Sequence, residues 1–508
     1  MSQIRKQSII SSLVVYFGFV IGFVNTYLFT REGSGFTKAE YGLVNIFLAI
    51  AILMYSFANL GMGAYIYKFY PYYNDNLPKK KNDLLTWAWV FSIIGFCLVI
   101  GGGLFFKNLV IKKYVENAPD LVKYYYWIFP FGLGLTLYSV FEAYAWQLKK
   151  SVFTNFLREV QFRIFTTVLI LLWVLGVITS FDLFIKIYSF AYLAIAIILL
   201  LNLVYTGHFQ VTFSVSRVTK KFFKKIITLV SFVYGGNLVF AISTVFDSIL
   251  IAAVLPDGLA LAGIYTLAQN LGSLIQAPQR GIVSSSLAAL SRAWKDKDLK
   301  KIDRIYHSSS INMLVFSVGM FTLIWLNFSD AIFTFHLQSG YLDARWIFFY
   351  IGLMRIVDMG TGVNSQIIGT STRWRFDFVT GIILLALTLP LNYILTKYYF
   401  GVTGPAISNL ISFSIYNAIR YWFLLKKFKL QPFTAKTVYT LILGIAGYYI
   451  CYFLFENMHG FTGLVIRSLA FILLYGSGVL LLKLSPDMLP VLRSVQKRLG
   501  MKKGDRVE

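Results

Sequence analysis

The chain of 508 residues is 57% hydrophobic and only 14% charged. Soluble domains carry charge on about a quarter of their residues, so this composition excludes a soluble fold and predicts a polytopic membrane protein. The net charge of +25 does not indicate nucleic-acid binding, because the cations cluster in short links between apolar segments, as membrane orientation requires.

Apolar segments long enough to cross a bilayer recur along the whole chain. A membrane-spanning helix needs about 20 apolar residues. Fourteen segments approach this length, near residues 9–30, 40–67, 84–106, 121–147, 160–179, 182–205, 226–255, 259–290, 307–328, 341–369, 376–396, 401–425, 434–455 and 461–484. The sequence therefore predicts an all-α polytopic protein of about fourteen transmembrane helices. The N-terminal segment lacks a small-residue cleavage site and is predicted to be a retained first helix rather than a signal peptide.

The cations between the segments predict the orientation. With the N-terminus in the cytoplasm, roughly 32 Lys and Arg fall in cytoplasmic links and tails and roughly 8 on the other side, as the positive-inside rule requires. The cytoplasmic set includes Lys79–Lys81, Lys149–Lys150, Lys426–Lys427 and the tail Arg493–Arg506. Both termini are therefore predicted to be cytoplasmic. The outer links are too short for a folded external domain.

The basic run Arg217–Lys225 holds five cations in nine residues and joins two similar halves. The second predicted span opens with Glu40-Tyr-Gly-Leu-Val-Asn45, and the eighth opens with the similar Ala262-Gly-Ile-Tyr-Thr-Leu-Ala268. The alternative is coincidence, since Gly and Tyr are frequent in this chain. The echo favours two pseudo-symmetric six-helix bundles, residues 1–216 and 217–430, followed by residues 431–508, which hold two more helices and a basic tail. Such an architecture places a substrate site in the cleft between its bundles.

The tenth predicted span carries ionisable residues. Charges within a span cost roughly 2.5–3.5 kcal/mol each on insertion scales and usually face a bundle interior or an aqueous cavity. Spacings of three and four place several polar residues on one helical stripe: Arg355, Asp358, Gly362, Ser365 and Gln366. One interpretation is a pair of Arg355 and Asp358 that neutralises itself. The other is the wall of a substrate cavity.

The eighth predicted span shows a similar stripe. Its members share one helical face: Tyr265, Gln269, Ser273, Gln276 and Arg280. Amides and a cation on one face are not expected to contact lipid. Pro278 interrupts this face, and a proline removes a backbone hydrogen bond and commonly kinks a helix. Pro278 is either an ordinary kink or a bend that moves during transport.

Three acids within predicted spans, Glu142, Asp247 and Asp358, are candidates for ion coupling or for charge pairing. Other charges lie near predicted span ends, where long side chains reach the headgroups, and are predicted to be anchors: Arg163, Lys186, Arg420, Arg467 and Lys483. The two cysteines lie within spans, and the four histidines share no ligand spacing. Neither a disulfide framework nor a metal or other cofactor is expected.

The order of these features resembles a known family. About fourteen spans, with Glu40-Tyr-Gly-Leu-Val-Asn45 opening the second, Gly263-Ile-Tyr-Thr-Leu-Ala268 the eighth and Gly401-Val-Thr-Gly-Pro-Ala406 the twelfth, are similar to the polysaccharide-biosynthesis flippases of the Wzx type. That family belongs to the multidrug/oligosaccharidyl-lipid/polysaccharide (MOP) exporter superfamily. The resemblance covers essentially the whole chain.

The resemblance implies a flippase of the bacterial inner membrane for O-antigen, lipopolysaccharide or capsule biosynthesis. Its substrate would be an oligosaccharide unit on undecaprenyl pyrophosphate, moved by alternating access, with Arg280, Arg355, Gln269, Gln276 and Gln366 lining the cavity. Fewer cavity cations are found here than family members often carry. Coupling to H⁺ or Na⁺, and contact with other polysaccharide assembly proteins, stay open.

Two alternatives accompany this interpretation. A cation-coupled multidrug extruder would use Asp247, Asp358 and Glu142 as coupling acids. A membrane-bound oligosaccharide polymerase or ligase is an alternative of another class, but such an enzyme needs a sizeable external loop with catalytic residues. The short outer links argue against it, so the chain is predicted not to be an enzyme.

Overall fold

The computed structural model of the protein describes residues 3–485, apart from the side chains of residues 3–9, 11, 12, 280, 284, 285 and 288. The predicted basic tail Arg493–Arg506 lies outside the described residues. The chain divides between Thr266 and Leu267 into two compact units. The boundaries predicted at residues 216 and 430 divide the chain by the similarity of its two halves, not by compact units. They remain a prediction.

The first unit is built from helices that begin and end as follows: α1 Gln3–Thr30, α2 Lys38–Ala58, α3 Met62–Asn76, α4 Leu84–Phe105, α5 Lys107–Tyr114, α6 Pro119–Lys123, α7 Ile128–Gln147, α8 Ser151–Asn155, α9 Phe162–Val174, α10 Phe181–Tyr188, α11 Ala191–Tyr205 and α12 Arg217–Val254. Helix α13, Gly258–Ile275, crosses the boundary. Helix α2 starts at a capping box, in which the Thr37 hydroxyl accepts from the Glu40 N–H and the Glu40 carboxylate accepts from the Thr37 N–H. This arrangement satisfies two of the free donors at a helix start.

The second unit contains the remaining helices: α14 Gln279–Lys295, α15 Leu299–Thr334, α16 Ala344–Gly360, α17 Asn364–Thr370, α18 Arg375–Ile394, α19 Gly404–Phe428, α20 Ala435–Leu454 and α21 Gly460–Leu481. Its apolar core joins α15 to the last two helices through Leu314, Val318, Cys451 and Phe471. The Tyr475 hydroxyl donates to the Val315 carbonyl at 2.8 Å. The two C-terminal helices are therefore packed onto this unit.

The predicted all-α polytopic fold is confirmed. Within residues 3–485, eleven helices are long and apolar enough to cross a membrane, or twelve if a bent pair counts as one span. The prediction was about fourteen. The predicted span 160–179 is not among them; its helix α9 has 13 residues, Phe162–Val174, and follows α8 through a π-helical turn, Phe156–Gln161.

The stretch Arg375–Phe428 counts as one candidate of 54 residues, yet it is a hairpin. Phe376 stacks on Phe423 with ring centroids 3.8 Å apart, and Arg420 Nε donates to Thr380 Oγ1 at 3.0 Å. These contacts pair the start of α18 with the end of α19. Gly401, at φ +53, lies in the turn. Two crossings near residues 376–396 and 401–425 fit this geometry.

Several cations predicted to be headgroup anchors are internal instead. Arg420 is 3% exposed and pairs with Asp377, and Arg467 is 6% exposed and lies 2.7 Å from Asp330. Arg163 pairs with Glu159 at 2.8 Å, and a Cβ at Gly18 would lie 2.8 Å from its Nη1 atom. The anchoring prediction is wrong for Arg420 and Arg467, because each is buried beside an acidic partner. Arg163 is half-buried, and its anchoring role stays a prediction.

Candidate functional site

A chain of hydrogen bonds connects polar side chains from four helices of the second unit. We call it the Asp358 network, and its members are Gln276, Gln279, Asp358, Thr361, Asn364 and Asn417. Asp358 lies near the end of α16 and accepts at both carboxylate oxygens. Gln279 Nε2 lies 3.3 Å from Oδ2 and Asn417 Nδ2 lies 3.2 Å from Oδ1. Neutral amides from α14 and α19 therefore hold this carboxylate.

Asn417 is the centre of the network and is 1% exposed. Its side-chain oxygen accepts from Thr361 Oγ1 at 3.0 Å and from Asn364 Nδ2 at 2.9 Å. Its amide also donates to the Phe413 carbonyl at 3.0 Å, besides the bond to Asp358. A buried amide costs free energy unless such bonds are made. Asn417 therefore fixes α19 against α16 and α17.

The network extends to the break between α13 and α14. Gln276 lies in this break and donates from Nε2 to Gln279 Oε1. Pro278 is the N-cap residue of α14, so the predicted interruption of the span 259–290 is confirmed. Asp358, Gln276 and Gln279 are half-buried, whereas Asn417 and Asn364 are buried, so the network has an edge that protein does not enclose.

The predicted stripe of the tenth span does not lie on one continuous helix. Helix α16 ends at Gly360, and α17 follows at an angle of 44°. Gly362 lies between them at φ +66, a conformation that favours glycine. Arg355 and Gln366 are both half-buried but lie on different sides of this bend. Ser365 donates to Asp377 at 3.0 Å. The prediction of one straight helix through these residues was wrong, because the positive φ at Gly362 interrupts the helix between α16 and α17.

The remaining predicted cavity residues lie on α13 and α14. Gln269 is half-buried on α13. Arg280 lies in the first turn of α14, and its side chain is outside the described part of the protein. The structure thus brings Gln276 and Asp358 together through Gln279. It leaves the roles of Arg280, Arg355, Gln269 and Gln366 as predictions.

The two acids of the first unit have separate partners. Asp247, on α12, is buried and accepts a hydrogen bond of 2.7 Å from the Tyr265 hydroxyl. Glu142, on α7, is buried and accepts from Arg158 Nη1 at 3.2 Å. Its Oε1 atom has no hydrogen-bond partner among the residues that the structure describes. Between residues 3 and 485, no cluster of three His, Cys, Asp or Glu side chains could hold a metal ion.

Sequence reasoning missed Gln279, Asn364 and Asn417. A signal was present in the twelfth predicted span, where polar residues recur every four positions: Ser408, Ser412, Tyr416 and Arg420. Ser408, Ser412, Asn417 and Arg420 are all buried. This polar face is the buried face of α19, whereas Ile411 and Ile415 on the same helix are exposed.

Comparison with solved structures identifies the fold of the protein. The lipid II flippase MurJ, in an inward closed conformation, matches with a TM-score of 0.70 and 17% identity over 92% of this chain and 98% of that one. A MATE-family multidrug resistance transporter of the MOP superfamily, inward-facing, matches with a TM-score of 0.61 and 14% identity over 80% and 93% of the two chains. A MATE structure in complex with MaL6 gives a TM-score of 0.54 and 13% identity over 82% and 95%. The protein has the multi-helix membrane fold of flippases and transporters.

The family follows from the sequence match. The family model for polysaccharide biosynthesis proteins matches residues 4–294, more than half of the chain. The chain belongs to the polysaccharide biosynthesis protein family, and the resemblance drawn from its motifs is confirmed. A search of curated proteins found no match.

Proposed function

We propose that the protein is a flippase that moves undecaprenyl-pyrophosphate-linked oligosaccharide units across the bacterial inner membrane, for O-antigen or capsule biosynthesis. Membership of the polysaccharide biosynthesis family is the observation that carries this proposal. The fold shared with a lipid II flippase supports it. Both termini are placed in the cytoplasm, and accessibility of a C-terminal tag from outside would contradict that orientation.

The chemistry of the substrate requires a polar path. A pyrophosphate and sugars cannot enter hydrocarbon without partners for their charges and hydroxyls. The edge of the Asp358 network offers amide and carboxylate groups to sugar hydroxyls. In the proposal, Arg355 and Arg280 hold the anionic headgroup, and Gln269, Gln276 and Gln366 assist.

The proposed mechanism is alternating access, in which the break at Pro278 bends during the cycle. A helix interrupted by proline lacks a backbone hydrogen bond at that point and deforms more easily there. Asp247, Asp358 and Glu142 are the candidates for H⁺ or Na⁺ coupling. Cysteine crosslinks that clamp residues 1–216 to residues 217–430 on either face should stop transport, and unchanged transport would contradict this mechanism.

A second candidate is cation-coupled export of small molecules. The likeness to a MATE-family transporter favours it, as does the buried pair of Asp247 and Tyr265. An oligosaccharide polymerase or ligase is not proposed, because the family and fold are those of transporters and flippases.

One experiment separates the two candidates. The protein is reconstituted in liposomes with a lipid-linked oligosaccharide, and transfer is measured with and without a proton or sodium gradient. A cationic dye is tested in parallel. Oligosaccharide transfer is the expected result, and dye efflux without oligosaccharide transfer would assign the protein to the extruders. Loss of transfer in the Arg355→Ala protein would connect the activity to the proposed site.

A further inference from the structure

Helix α12 is longer than a bilayer requires. Its 38 residues, Arg217–Val254, extend about 57 Å at 1.5 Å per residue, whereas the hydrocarbon core is about 30 Å thick. The five cations lie at the N-terminal end of α12. We call residues Arg217–Lys225 the basic turn. The excess length leaves the basic turn outside the hydrocarbon, at the level of the headgroups.

One face of the basic turn is docked on the rest of the first unit. Asp83, which is fully buried, accepts at Oδ2 from the Ser216 N–H at 2.9 Å and from the Thr219 hydroxyl at 2.7 Å. Trp87 Nε1 donates to the same oxygen at 3.1 Å. Phe222 lies one turn further along α12, with its ring centroid 4.9 Å from that of Tyr72.

These contacts extend into α3. The hydroxyl groups of Thr219 and Tyr73 lie 2.7 Å apart, and the Tyr65 hydroxyl donates to Tyr73 at 2.8 Å. A buried hydrogen-bond chain of this kind fixes the rotation of a helix about its axis. The opposite face of the basic turn is therefore held outward.

That outward face combines cations with apolar side chains. All five cations are exposed: Arg217, Lys220, Lys221, Lys224 and Lys225. Phe223 is 56% exposed, and Ile227, one turn further along, is 50% exposed. A helical surface with cations around exposed aromatic and aliphatic groups is suited to the boundary between anionic headgroups and acyl chains.

We propose that the outward face of the basic turn binds anionic phospholipid headgroups of the cytoplasmic leaflet, and that Asp83 positions this face. Phe223 and Ile227 enter the upper acyl region while the cations contact phosphate. Bulk lipid is the occupant favoured here because α12 continues from these cations into an apolar span, and the aliphatic Ile227 beside Phe223 is suited to acyl chains. The inference does not depend on which substrate the protein moves.

The test uses the purified full-length protein and measures retention of phosphatidylglycerol against phosphatidylcholine by native mass spectrometry. Each basic residue near a leaflet contributes roughly a five-fold gain in affinity. Replacing Lys220, Lys221, Lys224 and Lys225 by Gln should lower the preference for phosphatidylglycerol at least ten-fold. Replacing the same four residues by Arg should preserve the preference, which separates charge from folding. An unchanged preference in the Gln variant would overturn the proposal.

Two further arms complete the test. Lys112→Gln with Lys113→Gln removes exposed cations from α5 and should leave the preference unchanged; an equal loss there would show that binding follows total charge only. A single-stranded RNA oligonucleotide is offered as the competing polyanion, and binding of RNA with no lipid preference would refute the lipid assignment.

The role of Asp83 has its own readout. All three hydrogen bonds reach one of its oxygens, so Asp83→Asn can retain them through its amide oxygen, whereas Asp83→Ala cannot. Asp83→Ala should reduce the lipid preference several-fold with all five cations still present, and Asp83→Asn should restore most of it. Equal preference in Asp83→Ala and the unaltered protein would contradict the positioning role.

Discussion

Gly42 on α2 and Gly263 on α13 lie at a point of backbone contact within the first unit. A Cβ added to Gly42 would lie 1.8 Å from the Leu259 carbonyl oxygen, and one added to Gly263 would lie 2.6 Å from the Lys38 carbonyl oxygen. These two glycines belong to the two similar motifs that open the second and eighth predicted spans. The motifs therefore have a packing role, since small residues let membrane helices approach closely.

Gly42→Ala should destabilise the protein, because the Leu259 backbone must move to admit a methyl group. Overpacking of this kind costs about 1–3 kcal/mol. Gly263→Ala should act in the same direction with a smaller effect. Thermal unfolding in detergent measures the change. Gly236→Ala on α12, where a Cβ would meet nothing within 4 Å, is the matched control, and an equal loss in the control would refute the packing role.

Gly362→Ala should destabilise the bend between α16 and α17. The residue has φ +66, and a Cβ there would lie 2.9 Å from Ser309 Oγ. The left-handed conformation alone costs roughly 1–2 kcal/mol for a residue with a side chain. Gly381→Ala, on α18 in open space, should be neutral or stabilising. Equal unfolding temperatures for the two variants would show that the bend tolerates a side chain.

Asn417→Ala should disrupt the Asp358 network. Asp358, Thr361 and Asn364 each lose a partner, and a buried polar group left unsatisfied costs about 1–3 kcal/mol. The unfolding temperature should fall, and transport should fall with it, because Asp358 loses its contact with α19. Ser414→Ala on the same helix is the control. A variant with normal transport would show that the network is not needed for function.

Removing one partner of the pair Asp377 and Arg420 should be costlier than removing both. Arg420 is almost fully buried, and Asp377 has about a third of its side chain exposed. An unpaired buried charge costs about 3–5 kcal/mol, and the solvent exposure of Asp377 places this case at the lower end. The double variant Asp377→Leu with Arg420→Met should recover part of the loss of Asp377→Leu. Additive losses in a double-mutant cycle would contradict a direct interaction.

Arg355→Ala should abolish surface-polysaccharide export at normal expression, because the proposed headgroup contact is lost. Arg345→Ala, ten residues earlier on α16, where the guanidinium lies over the Trp325 ring at 4.7 Å, serves as the control and should retain export. Export is measured in cells that depend on this protein. If Asp358→Asn alone restores export to Arg355→Ala, the two residues only neutralise each other and the transport role fails.

The sequence by itself determined the class of fold. A bilayer satisfies no backbone hydrogen bond, so each long apolar segment must be helical whatever its neighbours are. For this reason the sequence could predict the helical segments near residues 376–396 and 401–425. The break at Pro278 could also be predicted locally, because proline removes a backbone hydrogen bond. Asp358 was also found locally, since an ionisable residue within an apolar segment needs an internal partner.

Only the tertiary structure decided which side chains meet. Asp358 and Asn417 are 59 residues apart in the chain, and no local pattern specifies that pairing. Arg420 has the sequence position of a headgroup anchor, yet the hairpin of α18 and α19 places Asp377 against it. The bend at Gly362 likewise depends on Ser309 and Ser310, whose hydroxyls bond to the Val363 N–H and the Gly360 carbonyl. The bilayer dictates where the apolar helical spans lie, and this can be read from the sequence. The partners of the polar side chains are set by packing between residues far apart in the chain, which the spacing of residues along the sequence does not specify.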